Sequence, residues 1–282
     1  MTTAWQVVIA VKPRGRHRGT IEPKSMDRLF KLGPFVFAAA IFSLGLQQLL
    51  GIVWGSGPVP GPPLDAARPF WSCLLGIGLL GCAVSLRWQT QPHRAAIVLT
   101  IFLLGRALIV YVPGIFIHPH QPQGWTSGFE LLAMAGTCVT LLTIVLAPRW
   151  KNPALGAAAK AGRIVFAAAL VVFGVQHFIY ANFIATLIPA WIPGKLFWAI
   201  FVGAAFAAAA VAIVAQKVSQ LATFLLGTMF LLWVLILHLP RVVGALRNGN
   251  EWTSALVALT MGGASWTIGW AQSKCVEEQT AL

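Results

Sequence analysis

Charge is scarce in this 282-residue chain: Lys, Arg, Asp and Glu together make up 10% of it, and acidic residues are fewest, seven against twenty basic ones. A soluble domain carries about 25% charged residues, so a fold bathed mainly in water is excluded. Cysteine is scarce as well. Of the four, Cys73, Cys82 and Cys138 fall inside apolar runs and Cys275 lies close to the C-terminus, with no C-x-x-C pair among them. Thiol oxidases that pass electrons to quinone need paired, exchangeable thiols, which excludes a disulfide-generating role. Phosphate loops, dinucleotide fingerprints and nucleophile elbows are missing too. Any redox chemistry therefore needs a bound quinone or a partner subunit. The opening stretch AWQVVIAVKPRGRHRG is no secretory signal, because its apolar run is short and its charges follow that run.

What the chain has in abundance is apolar sequence, 58% of residues with a mean hydropathy of +0.78. Charge-free runs cover Leu32 to Leu64, Pro69 to Leu86, Leu131 to Pro148, Ile164 to Gly194, Leu196 to Gln216, Val218 to Pro240 and Trp252 to Ser273. A membrane helix needs roughly 20 such residues. The runs lack the strict alternation of barrel strands, which leaves helices as the structure able to satisfy the backbone in lipid. The spacing predicts an all-α polytopic membrane protein with eight spans, near 33–52, 68–86, 95–113, 126–147, 163–182, 196–215, 219–239 and 252–271. Fifteen basic residues flank one side of these spans and four the other. That bias places both termini in the cytoplasm and the protein in an inner (cell) membrane. Nucleic acid is excluded as a partner because the charge is spread over loops and not clustered on one basic face. Membrane lipid is the expected surrounding, and the basic tail suits anionic headgroups.

The chain repeats itself. VFAAAIFSLGLQQLLG (36–51) returns as VFAAALVVFGVQHFIY (165–180). Downstream, Phe70-Trp71 matches Phe197-Trp198, Gly76 matches Gly203 and Pro113 matches Pro240. Trp125-Thr126-Ser127 matches Trp252-Thr253-Ser254, and Leu132, Met134 and Gly136 match Leu259, Met261 and Gly263. Four helices per copy is an even number, so both copies enter the membrane the same way and form parallel repeats. The expected organisation is a basic tail (1–32), a first four-helix unit (33–147), a linker (148–162), a second four-helix unit (163–272) and a short tail (273–282).

Three stretches of the second unit carry a resemblance: FGVQHFIYANFIATLIPAWIPGKLFWAIFVG (173–203), LGTMFLLWVLILHLPRVV (226–243) and NEWTS (250–254). They resemble the DoxX-like family of four-helix membrane proteins (the DoxX/DoxD grouping, which also takes in the surfeit-locus cargo receptor). The likeness is good over 163–272 and weaker over 33–147. It implies a four-helix fold. Some relatives are subunits of membrane oxidoreductases, including a thiosulfate:quinone oxidoreductase, so it also implies quinone as a ligand and a redox partner subunit.

Polar groups inside a membrane are costly and mark functional sites by default. In the second unit Gln176, His177, Trp191, His238, Arg241, Glu251 and Trp252 gather toward the outer leaflet. The first unit places Gln47, Gln48, Tyr111 and Trp125 at aligned positions, and it adds Arg106 and Glu130. Arg106 lies seven residues before Pro113 and Glu130 five after Trp125, depths of roughly 10 Å and 7 Å at 1.5 Å per residue. The two are expected to form an intramembrane ion pair. For the second-unit cluster three readings stand: interfacial hydrogen bonding, a pocket for a small lipophilic or anionic ligand such as a quinone headgroup, and a haem or metal site at His177 and His238. Imidazole and amide groups suit quinone oxygens, and histidine can take the proton of a reduced quinol. HPH (118–120) is too thin for a metal site, and none is expected. The function that follows is a membrane subunit of a quinone-linked oxidoreductase system. The alternative is a non-catalytic transporter, cargo receptor or scaffold that binds a lipophilic solute or a partner protein.

Overall fold

The computed structural model describes residues 23–54, 68–147 and 152–280, and every regular element among them is a helix. In chain order these are α1 (Pro23–Phe30), α2 (Gly33–Trp54), α3 (Arg68–Trp88), α4 (Pro92–Arg106), α5 (Val112–Ile117), α6 (Pro122–Leu146), α7 (Pro153–Ile179), α8 (Ala181–Leu187), α9 (Lys195–Ala215), α10 (Ser219–Trp233), α11 (Leu239–Gly244) and α12 (Gly249–Thr280). A π-helical turn, Ala107–Tyr111, joins α4 to α5, and a second, Val234–His238, joins α10 to α11. Prolines open α4, α6 and α7, where the missing N–H is an orphan in any case. At α7 the Asn152 side chain also accepts a hydrogen bond from the Ala154 N–H at 2.9 Å.

Six helical stretches are long and apolar enough to cross a bilayer: Arg28–Gly51, Pro92–Ile117, Pro122–Leu146, Pro153–Ile179, Lys195–Ala215 and Ser219–Gly244. This is the pattern of a multi-pass membrane protein. The outward faces agree with it, for Ile101, Ile109, Val211 and Leu235 each leave more than 60% of their surface uncovered. Two expected spans do not reach the same measure over the described residues. In α3 the apolar stretch that counts toward it is Ser72–Trp88. Helix α12 carries Thr260, Ser265 and Thr267, all fully buried, so its middle faces protein and not lipid. Its hydroxyls cost little, because each donates to the carbonyl one turn back: Thr260 to Leu256, Ser265 to Met261 and Thr267 to Gly263. Thr137 and Thr140 do the same in the middle of α6.

The long helices form a closed ring in which α2 packs on α3, α3 on α4, α4 on α6, α6 on α7, α7 on α9, α9 on α10, α10 on α12 and α12 on α2. Helices α6 and α12 also touch each other across the ring. The stretches 33–147 and 163–272 therefore interlock, since the neighbours α6–α7 and α12–α2 cross between them. Small residues set these crossings. A Cβ built on Gly136 of α6 or on Gly162 of α7 would sit 2.5 Å from the carbonyl oxygen of the other. Gly263 of α12 has equally little room against the backbone of Phe37 in α2. Such close backbone approach is how helices associate where no hydrophobic gain is on offer.

The sequence reading placed residues 1–32 in a tail. Of these, 1–22 lie outside the described residues, while 23–30 form α1. Phe30 is fully buried, edge-on to Phe224 with ring centroids 6.3 Å apart. Of the predicted linker (148–162), 148–151 lie outside the described residues and 153–162 belong to α7.

Candidate functional site

Two cavities open at one end of the ring, where α2, α7 and the rods α4–α5 and α10–α11 finish and α6 and α12 begin. The pair α6–α12 stands between them, and Thr126, Glu130, Ser254 and Val257 line both.

The two proline-containing rods shape this end. Proline lacks an N–H and its ring collides with the carbonyl four residues back. Here the chain relieves the clash by inserting a π turn just before Pro113 and another before Pro240. The Val112 N–H bonds to Ala107 O and the Leu239 N–H to Val234 O, each one residue further back than in an α-helix. Tyr111 and His238 are the last residues of the two turns, and each lines a cavity. Single π turns of this kind recur at functional sites.

The cavity on the α7–α9–α10 side measures about 310 Å³ and contains both histidines. His177 comes from the last turns of α7, and its Nδ1 lies 2.8 Å from the Phe173 carbonyl. A carbonyl only accepts, so Nδ1 carries the proton and Nε2 of the neutral ring is left as an acceptor. The ring stands edge-on to Phe206, centroids 5.1 Å apart, and Phe206 in turn meets Phe230 at 5.5 Å. Trp198 and Trp233 complete aromatic walls, and Ile184, Leu187 and Ile188, from α8 and the residue after it, close the cavity beside them. His238 Nδ1 is buried without a partner.

The cavity on the α2–α3–α4 side is larger, about 650 Å³, and far more polar. Gln47, Gln48, Arg106, Tyr111 and Glu130 line it, joined by Asn250 from the first turn of α12. Gln48 is buried and donates to Ser72 Oγ at 3.0 Å.

Matching amide clasps tie each half to the other. Gln47 of α2 donates to Gly249 O at 2.8 Å and lies 2.9 Å from Thr253 Oγ1, at the start of α12. Gln176 of α7 donates to Pro122 O at 3.0 Å and accepts from Thr126 Oγ1 at 3.0 Å, at the start of α6. Trp125 and Trp252 brace the same two helix starts, their indole N–H groups donating to Pro119 O and Leu246 O, both at 2.9 Å.

The sequence-derived candidates thus divide. Gln176, His177 and His238 meet in the smaller cavity, while Gln47, Gln48, Arg106, Tyr111 and Glu130 meet in the larger. Trp191 (71% exposed), Trp125 and Trp252 lie outside both. Arg241 and Glu251 line neither and are ion-paired to each other at 2.8 Å.

The expected Arg106–Glu130 ion pair does not form: among the described residues the only salt bridge is Arg241–Glu251. The guanidinium of Arg106 lies over the ring of Tyr111 instead, 5.9 Å from its centroid. Glu130 lines both cavities, and its side chain has no hydrogen bond to the described chain. Sequence reasoning passed over Trp198, Phe206, Trp233 and the α8 segment. The repeat alignment held the available signal, since Trp233 takes the place of Arg106 and Val257 that of Glu130. Among the described residues no disulfide forms, with Cys73 exposed and Cys82 and Cys138 buried. No three His, Cys, Asp or Glu among the described residues converge to hold a metal ion.

No protein-family model, no curated protein and no solved structure matches this chain.

Proposed function

We propose that this protein is a DoxX-like, inner-membrane ligand-binding subunit that holds the headgroup of a quinone in the histidine cavity and serves a quinone-linked oxidoreductase system. One observation carries the reading: His177 and His238, from distant parts of the chain, line one aromatic-walled cavity that is otherwise mostly apolar. Its volume lies within the range of small-molecule sites, roughly 300–1,000 Å³. Quinone oxygens need one or two polar partners in apolar surroundings. His177 offers an acceptor at Nε2, suited to a quinol hydroxyl. The bound quinone would carry electron pairs, and a partner subunit would supply them.

The same proposal takes the eight rods as eight crossings arranged in two parallel repeats. The matched amide clasps, the matched π turns and the Gly136 and Gly263 crossings support that arrangement. It also places both termini in the cytoplasm, which puts the cavities at the outer leaflet. Arg87, Arg94, Lys160, Arg163 and Lys217 support it, because they belong to the helix ends away from the cavities.

The test is titration of a short-tailed ubiquinone into the full chain in lipid nanodiscs. Saturable binding near one equivalent is expected, weakened about tenfold or more by His177→Ala or His238→Ala, the loss of one hydrogen bond to a buried group. Binding that ignores both substitutions, or no binding, refutes the reading.

A further inference from the structure

Whatever occupies the histidine cavity, the larger cavity poses a separate electrostatic problem. Arg106 belongs to a span long enough to cross the bilayer, and its guanidinium is always charged. Its one recorded partner is the Tyr111 ring, and no carboxylate lies within 4 Å of it among the described residues. Glu130 belongs to the next span and lines the same cavity, and its side chain hydrogen-bonds to nothing in the described chain. A charge withdrawn from water normally finds an opposite charge or gives up its own. These two groups face one 650 Å³ space without meeting. The rest of the lining is mixed: Gln47, Gln48 and Asn250 add amides, Thr126 and Thr253 add hydroxyls, and Ile41, Leu79 and Phe102 are apolar.

An anionic guest would answer Arg106 alone and leave Glu130 to give up its charge. A guest with separated positive and negative groups and an apolar body answers both. We infer that the larger cavity is a second ligand site, for an amphipathic zwitterion whose anionic group is held by Arg106 and whose ammonium group faces Glu130. The anion gains charge-assisted donors from a guanidinium fork. The ammonium donates to the carboxylate, and the apolar body fills the space beside Ile41, Leu79 and Phe102. Two sources share this chemistry, an aminophospholipid headgroup and a free apolar α-amino acid.

The experiment has one arm for each source. In the first, the full chain is purified from nanodiscs containing equal phosphatidylethanolamine and phosphatidylglycerol, and retained lipid is read by native mass spectrometry. In the second, binding of radiolabelled L-phenylalanine is measured in phosphatidylcholine nanodiscs. A zwitterion bound in either arm is expected, reduced roughly tenfold or more in Arg106→Gln, with folding checked by thermal melting. His177→Ala should keep the bound zwitterion, which separates this site from the quinone proposal. Preference for phosphatidylglycerol would make the site a simple anion site and overturn the inference. Binding that Arg106→Gln leaves intact would overturn it too. So would no ligand in either arm, which would mark a cavity filled by water alone. Should Arg106→Gln fail to fold, Glu130→Gln takes its place and should abolish the preference for the aminophospholipid; an unchanged preference would refute the assignment.

Discussion

Single side chains at the cavity end carry most of the chemistry, yet one of the clearest local strains lies at the other end. Between α9 and α10 the chain reverses through Gln216 and Val218, both in the left-handed region at φ 57° and 49°. Gln216 has compensation, since its side chain donates to Ile213 O at 2.6 Å. Val218 has none; it is β-branched and 73% exposed. A left-handed conformation costs an ordinary residue about 1–2 kcal/mol, and asparagine tolerates it best among residues with a side chain. Val218→Asn should therefore stabilise the protein by about 1 kcal/mol and raise its melting temperature by a few degrees in thermal denaturation. A lower melting temperature would show that the turn is not strained. At the residue scale the sequence was only half informative. It flagged Arg106, Glu130, His177 and His238, but it paired Arg106 with Glu130 because depth along two neighbouring helices was all it could compare. Rotation about each helix axis decides whether equal depth becomes contact.

The helices themselves were legible as apolar runs: six of the eight expected spans fall on helices long and apolar enough to cross a bilayer, and the other two fall on α3 and α12. Their ends were less so. Fifteen basic flanking residues mark where lipid ends, but a helix continues into water when its cap is good, as α7 does back to Asn152. The crossings were hidden for a different reason. Glycine serves close packing, chain reversal or nothing in particular, and the residue type does not say which. Gly136 and Gly78 illustrate the difference: Gly136 lies against the backbone of α7, whereas a Cβ on Gly78 would meet nothing within 4 Å. Gly136→Leu should force α6 from α7 and cost at least the 1–3 kcal/mol typical of overpacking, while Gly78→Leu should be close to neutral. Detergent-solubilised thermal stability, followed by size-exclusion fluorescence, compares the two directly. Equal effects would mean that the α6–α7 contact does not hold the molecule together.

At the scale of the whole molecule, Gln47 and Gln176 make similar contacts, each reaching from one of the stretches 33–147 and 163–272 into the other. A linear pattern cannot reveal that α12 packs on α2 or that α6 and α12 divide the interior into two chambers, because those neighbours are far apart along the chain. A cysteine-free background tests the arrangement. Cysteines replacing Gln47 and Thr253, or Thr126 and Gln176, should each be joined by a short bifunctional thiol reagent, while a mixed pair at 47 and 176 should not. Cross-linking of the mixed pair alone would contradict the ring. It follows that the two chambers are built alike and filled differently: histidines and aromatic rings in one, an arginine, a glutamate and amides in the other. The most direct test of that assignment is photolabelling with a short-tailed azidoquinone in nanodiscs, followed by peptide mapping. The account expects adducts on α7 near Phe173–His177 and on the α10 rod near Phe230–His238, competed away by unlabelled quinone. Competed adducts confined to α2, α3 or α4, around Gln48 or Arg106, would contradict it.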